Sequence, residues 1–153
     1  MKKIIAVIVE NEHGVLARIV NMFAARGYNI SSLTVAPIPS SNFSRITISS
    51  DGDEKIFEQI VKQLYKLIPV YKVIESENFI EKEMAMVKFP IDNALADIDA
   101  LARCYNGSIS NVSDKFVVAS VVDRPDRIDN FLKAIKKFKP LEIVRSGVSV
   151  IER

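Results

Sequence analysis

The chain has 153 residues, of which 48% are hydrophobic and 26% are charged, and its formal net charge is +2. These fractions are typical of a soluble globular protein, and so small a net charge argues against nucleic-acid binding, which needs clustered lysine and arginine. The single cysteine, Cys104, excludes an internal disulfide and a cysteine cluster for zinc or iron–sulfur, and it fits a reduced, cytoplasmic setting.

The first predicted element is a buried strand at 4–9, where the apolar run IIAVIV is uninterrupted. Two lysines before the run imitate a signal peptide, but the run is too short for a secretory core or a membrane span. It ends in a polar corner, NEHG at 11–14, and an amphipathic helix pattern begins at once. Gly27 predicts the end of that helix, because glycine adopts the left-handed conformation without strain.

Three strands and a second helix complete the first half. The strands are predicted at 30–36, around 45–48 and at 70–74, and the turn PIPSSN separates the first two. The segment DGDE at 51–54 is typical of a capped helix start; a calcium loop is a weaker interpretation, because the rest of that motif is missing. Pro69 ends this helix.

The second half repeats the same order of elements. They are a strand at 80–89, a helix at 91–102, hairpin strands at 107–113 and 115–122, a helix at 123–138 and a last strand at 141–151. Asp123 is the predicted N-cap of the last helix, with Pro125 in its first turn. Pro90 and Pro140 mark boundaries in this half.

Two βαββαβ units predict an α+β fold: two consecutive ferredoxin-like domains, each a four-stranded antiparallel sheet with two helices on one face. The predicted domains are 1–75 and 79–153, and SENFIEKE at 76–83 is the predicted linker. The second face of each sheet is left bare, and each half buries only a small core. Both features favour a dimer or a larger assembly.

The corner at 11–14 holds the residues that are the strongest candidates for catalysis or ligand binding. His13 is the only histidine, but the sequence supplies no serine, cysteine or aspartate arrangement that would make it catalytic. No metal-ligand spacing and no glycine-rich phosphate motif is present either. A helix that begins at Gly14 offers free backbone N–H groups to an anion such as a carboxylate. The simpler alternative, that Gly14 only makes the turn, stays open at this point.

Three segments carry a resemblance to a known family. They are ENEHGVLARI at 10–19, RGYNISSLTVAP at 26–37 and SRITI at 44–48. They resemble the small, regulatory subunit of acetohydroxyacid synthase, also called acetolactate synthase. The resemblance is thinner in the second half, where EKEMAMVK at 81–88 and RSGV at 145–148 carry it.

The resemblance implies an N-terminal ACT domain, which senses amino acids, and a further ferredoxin-like domain of the small subunit. It implies a non-catalytic protein that binds and activates a catalytic large subunit and confers feedback inhibition by branched-chain amino acids, with valine as first choice. That reaction begins valine, leucine and isoleucine biosynthesis. No cofactor or metal is expected in this subunit; thiamine diphosphate, magnesium and FAD are expected on the catalytic partner.

The resemblance also implies an effector site between the ACT domains of a homodimer. One chain would contribute Asn11, Gly14, Val15 and Leu16, and the other Asn29 and Ile30. Backbone N–H groups would hold the effector carboxylate, side-chain amides its polar groups and Ile30 its branched side chain. Two alternatives remain: a free-standing ACT-type sensor, and a small hydrolase similar to acylphosphatases.

Overall fold

The computed structural model describes residues 2–91 and 94–153. The chain divides into two compact units, Met1–Ile80 with Val150–Arg153, and Glu81–Ser149. The units differ from the predicted domains at two places, because residues 76–80 and 150–153 belong to the first unit. The domain boundaries 1–75 and 79–153 stay a prediction.

The first unit contains four strands and two helices in the predicted order. They are β1 (Lys2–Glu10), α1 (Val15–Ala25), β2 (Asn29–Pro37), β3 (Phe43–Asp51), α2 (Glu54–Leu64) and β4 (Val70–Glu75). The strands form an antiparallel sheet in the order β2-β3-β1-β4, so β2 and β4 are its edges. This is the ferredoxin-like arrangement.

Local sequence signals explain the end of α1 and the start of α2. Gly27 follows α1 with φ +63°, as its predicted left-handed role requires. The Asp53 carboxylate accepts from the backbone N–H groups of Lys55 and Ile56 at 2.8 and 3.3 Å, so DGDE is a helix cap. Helix α2 ends at Leu64 with Tyr65 as its C-cap, five residues before Pro69, so the prediction that Pro69 ends this helix is wrong.

Apolar side chains of both helices pack on one face of this sheet. Ile5 and Val7 of β1 and Ile46 and Ile48 of β3 are fully or almost fully buried there. The sequence had suggested that the opposite face of this sheet is bare. In the structure it is partly covered, because Ala6, Thr47 and Ile74 on it are also buried.

The C-terminal residues of the chain lie with this first unit. The guanidinium of Arg45, which β3 carries on the face opposite the helices, donates to the carbonyl oxygen of Val150 at 2.9 Å. The backbone N–H of Arg153 donates to the carbonyl of Asn78 at 3.3 Å.

The second sheet has the order β6-β7-β5-β8, and β9 also pairs with β5. Its elements are β5 (Phe79–Pro90), α3 (Leu95–Cys104), β6 (Gly107–Val112), β7 (Phe116–Asp123), α4 (Pro125–Ala134) with a 3-10 turn (Ile135–Phe138), β8 (Glu142–Arg145) and β9 (Ser149–Glu152). Phe89, Ile98 and Phe131 are buried in the core of this unit.

Two predicted boundaries in this half are wrong. Helix α3 begins at Leu95, and Ile91 lies outside it, where its backbone N–H donates to the carbonyl of Lys115 at 3.1 Å. Predicted helix positions 92 and 93 lie outside the described residues. The linker is shorter than 76–83, because β5 already begins at Phe79.

The last predicted strand, 141–151, is two strands in the structure. Ser146 interrupts it: its hydroxyl oxygen accepts from the backbone N–H of Met84, and its own N–H donates to the carbonyl of Met84, both at 2.9 Å. The predicted N-cap also shifts by one residue, since Arg124 is the N-cap of α4 and Asp123 ends β7.

Candidate effector site at the β1–α1 corner

The corner after β1 is fixed by hydrogen bonds to two neighbouring turns. The backbone N–H of Glu10 donates to the carbonyl of Pro69 at 2.8 Å, and that of Asn11 donates to the carbonyl of Asn42 at 2.9 Å. The corner therefore meets the α2–β4 turn and the β2–β3 turn at one end of the sheet.

Gly14 adopts a conformation that suits glycine. Its φ of +81° and ψ of −6° lie in the left-handed region, which strains residues with a Cβ. The first helical hydrogen bond runs from Arg18 N–H to the Gly14 carbonyl at 3.1 Å. Val15, the first residue of α1, is buried, and Leu16 is half-buried.

Helix α1 starts without a side-chain cap or an acidic residue in its first turn. Helix α2 has both, because Asp53 caps it and Glu54 follows. The first N–H groups of a helix have no partner within the helix, and they attract anions together with the helix dipole. The backbone of α1 therefore offers donors for an anion at Val15 and Leu16.

A cavity of about 580 Å³ adjoins this corner. It is lined by Glu10, Asn11, Glu12, Ser41, Asn42 and Phe43. Sequence reasoning treated the β2–β3 turn only as a turn and missed Ser41 and Asn42. Strand β3 pairs antiparallel with β1, and this pairing sets Phe43 opposite Glu10. A prediction of that pairing would have placed Ser41 and Asn42 next to the corner.

The structure groups Asn11, Gly14, Val15 and Leu16, but it does not bring Asn29 and Ile30 to them within one chain. Asn29 lies opposite Asp51 in the sheet, and Asp51 lies opposite Lys2, at the far end of β1 from Glu10. A strand rises about 3.3 Å per residue, so the two ends of β1 are about 26 Å apart. Asn29 is exposed, whereas Ile30 packs partly against the core.

The structure gives no evidence for a catalytic or a metal site among the described residues of the corner. His13 is exposed, and no cluster of three or more histidine, cysteine or acidic residues that could hold a metal occurs within 2–91 and 94–153. Over the same ranges, no helix combines the length and apolarity needed to cross a membrane.

The second unit has a network of charged side chains around two buried carboxylates. Arg145 donates to Glu83 and to Asp129, each at 2.6 Å, and Arg127 donates to Asp123 at 2.6 Å. Burial alone would raise the pKa of Asp123. The hydrogen bonds from Arg127 and from the Arg124 backbone outweigh it, and they hold that pKa below its ordinary value.

Both buried carboxylates already accept hydrogen bonds from arginines, so we interpret this network as structural rather than catalytic.

Comparison with known proteins decides the family. A model described as the AHAS small subunit-like ACT domain matches residues 5–72, and a model described as the small subunit of acetolactate synthase matches residues 82–153. An acetolactate synthase small subunit from Haemophilus influenzae is 39% identical over 157 residues, which cover 100% of this chain and 96% of that protein. The chain belongs to the acetolactate synthase small subunit family.

Two further relatives agree with this assignment. The isozyme 3 small subunit of Escherichia coli K12 is 38% identical and covers 100% of this chain and 96% of its own length. The crystal structure of the small subunit from Thermotoga maritima has a TM-score of 0.89 and 33% identity, and it covers 100% of this chain and 98% of its own.

Family membership confirms the resemblance, the α+β fold of two ferredoxin-like units and the interpretation of the chain as a non-catalytic subunit of acetolactate synthase. It favours this role over the free-standing sensor and over the hydrolase. The six predicted effector-site residues stay a prediction.

Proposed function

We propose that this small subunit binds and activates the catalytic large subunit of acetolactate synthase and makes it sensitive to feedback inhibition by a branched-chain amino acid, valine first. The two relatives named above are both called small subunits, which implies a larger partner. The partner would carry the thiamine diphosphate, magnesium and FAD, and this chain would carry no cofactor. The assembly would work in the cytoplasm.

The observation that carries the proposed effector site is the uncapped N-terminus of α1 behind Gly14. Its backbone N–H groups suit the carboxylate of an amino acid, and Gly14 lets that carboxylate approach because no Cβ intrudes. The Asn11 side-chain amide beside it can accept a hydrogen bond from the effector ammonium.

The sheet topology supports a site shared by two chains. Edge strand β2 runs from Asn29 to Pro37, and Pro37 lies opposite Ser44 near the corner end of the sheet. A second copy whose β2 pairs antiparallel with this one, centred on Leu33, would bring its Asn29 beside Pro37. A two-fold axis would then generate two identical pockets, each with a corner from one chain and Asn29 and Ile30 from the other.

Regulation would follow from the position of the ligand between chains. An effector that bridges two ACT domains favours one relative orientation of the chains, and the catalytic subunit bound to them responds to that orientation. Couplings of this kind are typically about 1–3 kcal/mol, which is a change of roughly 5- to 150-fold in affinity.

Reconstitution with the catalytic subunit of the same organism tests this function. Acetolactate formation should rise and saturate as the small subunit is added, and valine should then lower it. Valine added to the catalytic subunit alone is the control and should have little effect. Leucine and isoleucine, titrated in parallel, identify the effector. A catalytic rate that the small subunit does not change would refute the proposal.

A further inference from the structure

Three large apolar side chains surround edge strand β4 of the first unit. We call Tyr65, Ile68 and Tyr71 the edge patch; their exposed fractions are 58%, 93% and 71%. Tyrosine and large apolar residues grouped on a surface are typical of protein interfaces and of the few residues that carry most of their binding energy.

The edge patch is held in shape by internal contacts. The Tyr65 hydroxyl donates to the carbonyl of Val73 at 3.0 Å, and the Tyr71 ring packs against Phe43 with ring centroids 5.0 Å apart. The turn that carries Ile68 is closed by a hydrogen bond from Val70 N–H to the Leu67 carbonyl at 3.0 Å. Since the two tyrosine side chains already have these contacts, a partner that binds them would cost little side-chain entropy.

The same contacts indicate how a partner would bind. An exposed edge strand usually invites another strand to pair with its free backbone groups. Here the Tyr65 hydroxyl already occupies the carbonyl of Val73 on β4. Binding through side chains is therefore favoured over the addition of a strand.

The sheet topology and the local charge indicate which partner the edge patch fits. Strand β2 is the opposite edge of this sheet, so the pairing of two copies through β2 that we propose would leave the edge patch on the outside of the dimer. Residues 62–72 also contain Lys62, Lys66 and Lys72 and no acidic residue. A partner surface that is apolar at its centre and rimmed by carboxylates complements this segment.

The edge patch is also connected directly to the effector corner. The backbone N–H of Glu10, the residue before Asn11, donates to the carbonyl of Pro69 at 2.8 Å, and Pro69 follows Ile68. A change at the corner thus reaches the α2–β4 turn through one hydrogen bond. Docking at this turn would give an effector a short route to the bound partner.

We propose that the edge patch is the surface by which this small subunit docks on the acetolactate synthase catalytic subunit. Ile68 enters an apolar recess of that subunit, the two tyrosines flank it, and the three lysines meet carboxylates at the rim. The identity of the partner rests on the function proposed above.

The test measures binding to immobilised catalytic subunit of the same organism, with Ile68→Asp and Tyr71→Ala as variants. Each should weaken binding at least about tenfold, because each truncates or charges the centre of the interface. Leu141→Asp is the matched control, since Leu141 is 61% exposed but lies in the second unit; its affinity should stay within about twofold of the wild type. Lys66→Glu should weaken binding and reduce its dependence on salt.

Two results would overturn the docking proposal. One is an unchanged affinity of both Ile68→Asp and Tyr71→Ala for the catalytic subunit. The other is dissociation of the Ile68→Asp homodimer in sedimentation, which would make the edge patch a contact between copies of this chain.

Failure of the regulatory function has a different signature. The wild-type chain would then bind the catalytic subunit without changing its rate, and the edge-patch variants would still lose binding. A wild-type chain that does not bind the catalytic subunit at all refutes both proposals.

Discussion

Replacing Gly14 by aspartate adds a negative charge to the effector corner without a steric clash. A Cβ built on Gly14 meets no other atom within 4 Å, so the new side chain has room. The backbone φ of +81° strains any residue with a Cβ by about 1–2 kcal/mol, and aspartate tolerates this region better than most. We expect the fold to survive this change.

The effect on binding should be larger than the effect on stability. Two carboxylates about 4 Å apart repel by about 1 kcal/mol in water and by about 4 kcal/mol at the effective dielectric of a protein surface. The Gly14→Asp variant should therefore bind valine roughly 5- to 1,000-fold more weakly than the wild type.

Isothermal calorimetry with valine checks this prediction, and two alanine variants separate charge from strain. Gly14→Ala carries the strain without the charge, and Gly27→Ala carries a similar strain, at φ +63°, at the other end of α1. Gly27→Ala should keep the valine affinity of the wild type. Gly14→Ala should lose less affinity than Gly14→Asp, because its methyl group hinders the approach of the carboxylate without repelling its charge. Wild-type affinity in Gly14→Asp would refute the anion site, and an equal loss in Gly14→Ala would mean that backbone strain, not charge, removes binding.

Three further variants test other parts of the account. Asn29→Ala should weaken valine binding by about 1.5–3 kcal/mol if its amide bonds a charged group of the effector; undiminished feedback inhibition in the reconstituted complex would count against a contact between Asn29 and the effector. Asp53→Ala removes the cap of α2 and should lower stability by about 1 kcal/mol in urea unfolding while valine affinity stays unchanged. The lowered pKa of Asp123 implies stabilisation that is present above its ordinary pKa of about 3.9 and is lost as the pH falls through the lowered value. Unfolding midpoints of the wild type should therefore drop more steeply than those of Asp123→Asn between about pH 5 and pH 2, and equal slopes would contradict the role of the network.

The sequence predicted the features that depend on local chemistry. The left-handed Gly27, the Asp53 cap and the apolar stripes of the helices are all short-range, so spacing and residue type were enough to find them. The corner at 11–14 belongs to the same class, because a strand that ends and a helix that begins leave few alternatives for the glycine between them.

The features that the sequence did not predict depend on contacts between distant residues. The break between β8 and β9 arises where Ser146 binds Met84 through both its side chain and its backbone. No local sequence pattern at 141–151 predicts such a contact. Asn42 reached the candidate site in the same way, through a hydrogen bond from Asn11 that depends on strand register.

The most direct test of the central claim is a mixed dimer of one Gly14→Asp chain and one Asn29→Ala chain, purified with two different tags. If each pocket takes its corner from one chain and Asn29 from the other, both lesions fall in one pocket and the second pocket is intact. Calorimetry should then find one valine site of wild-type affinity per dimer, whereas either homodimer has none. A mixed dimer without a wild-type site would contradict the shared pocket, because each pocket would then take its corner and its Asn29 from the same chain. Two wild-type sites would also contradict it, because neither residue would then contact the effector.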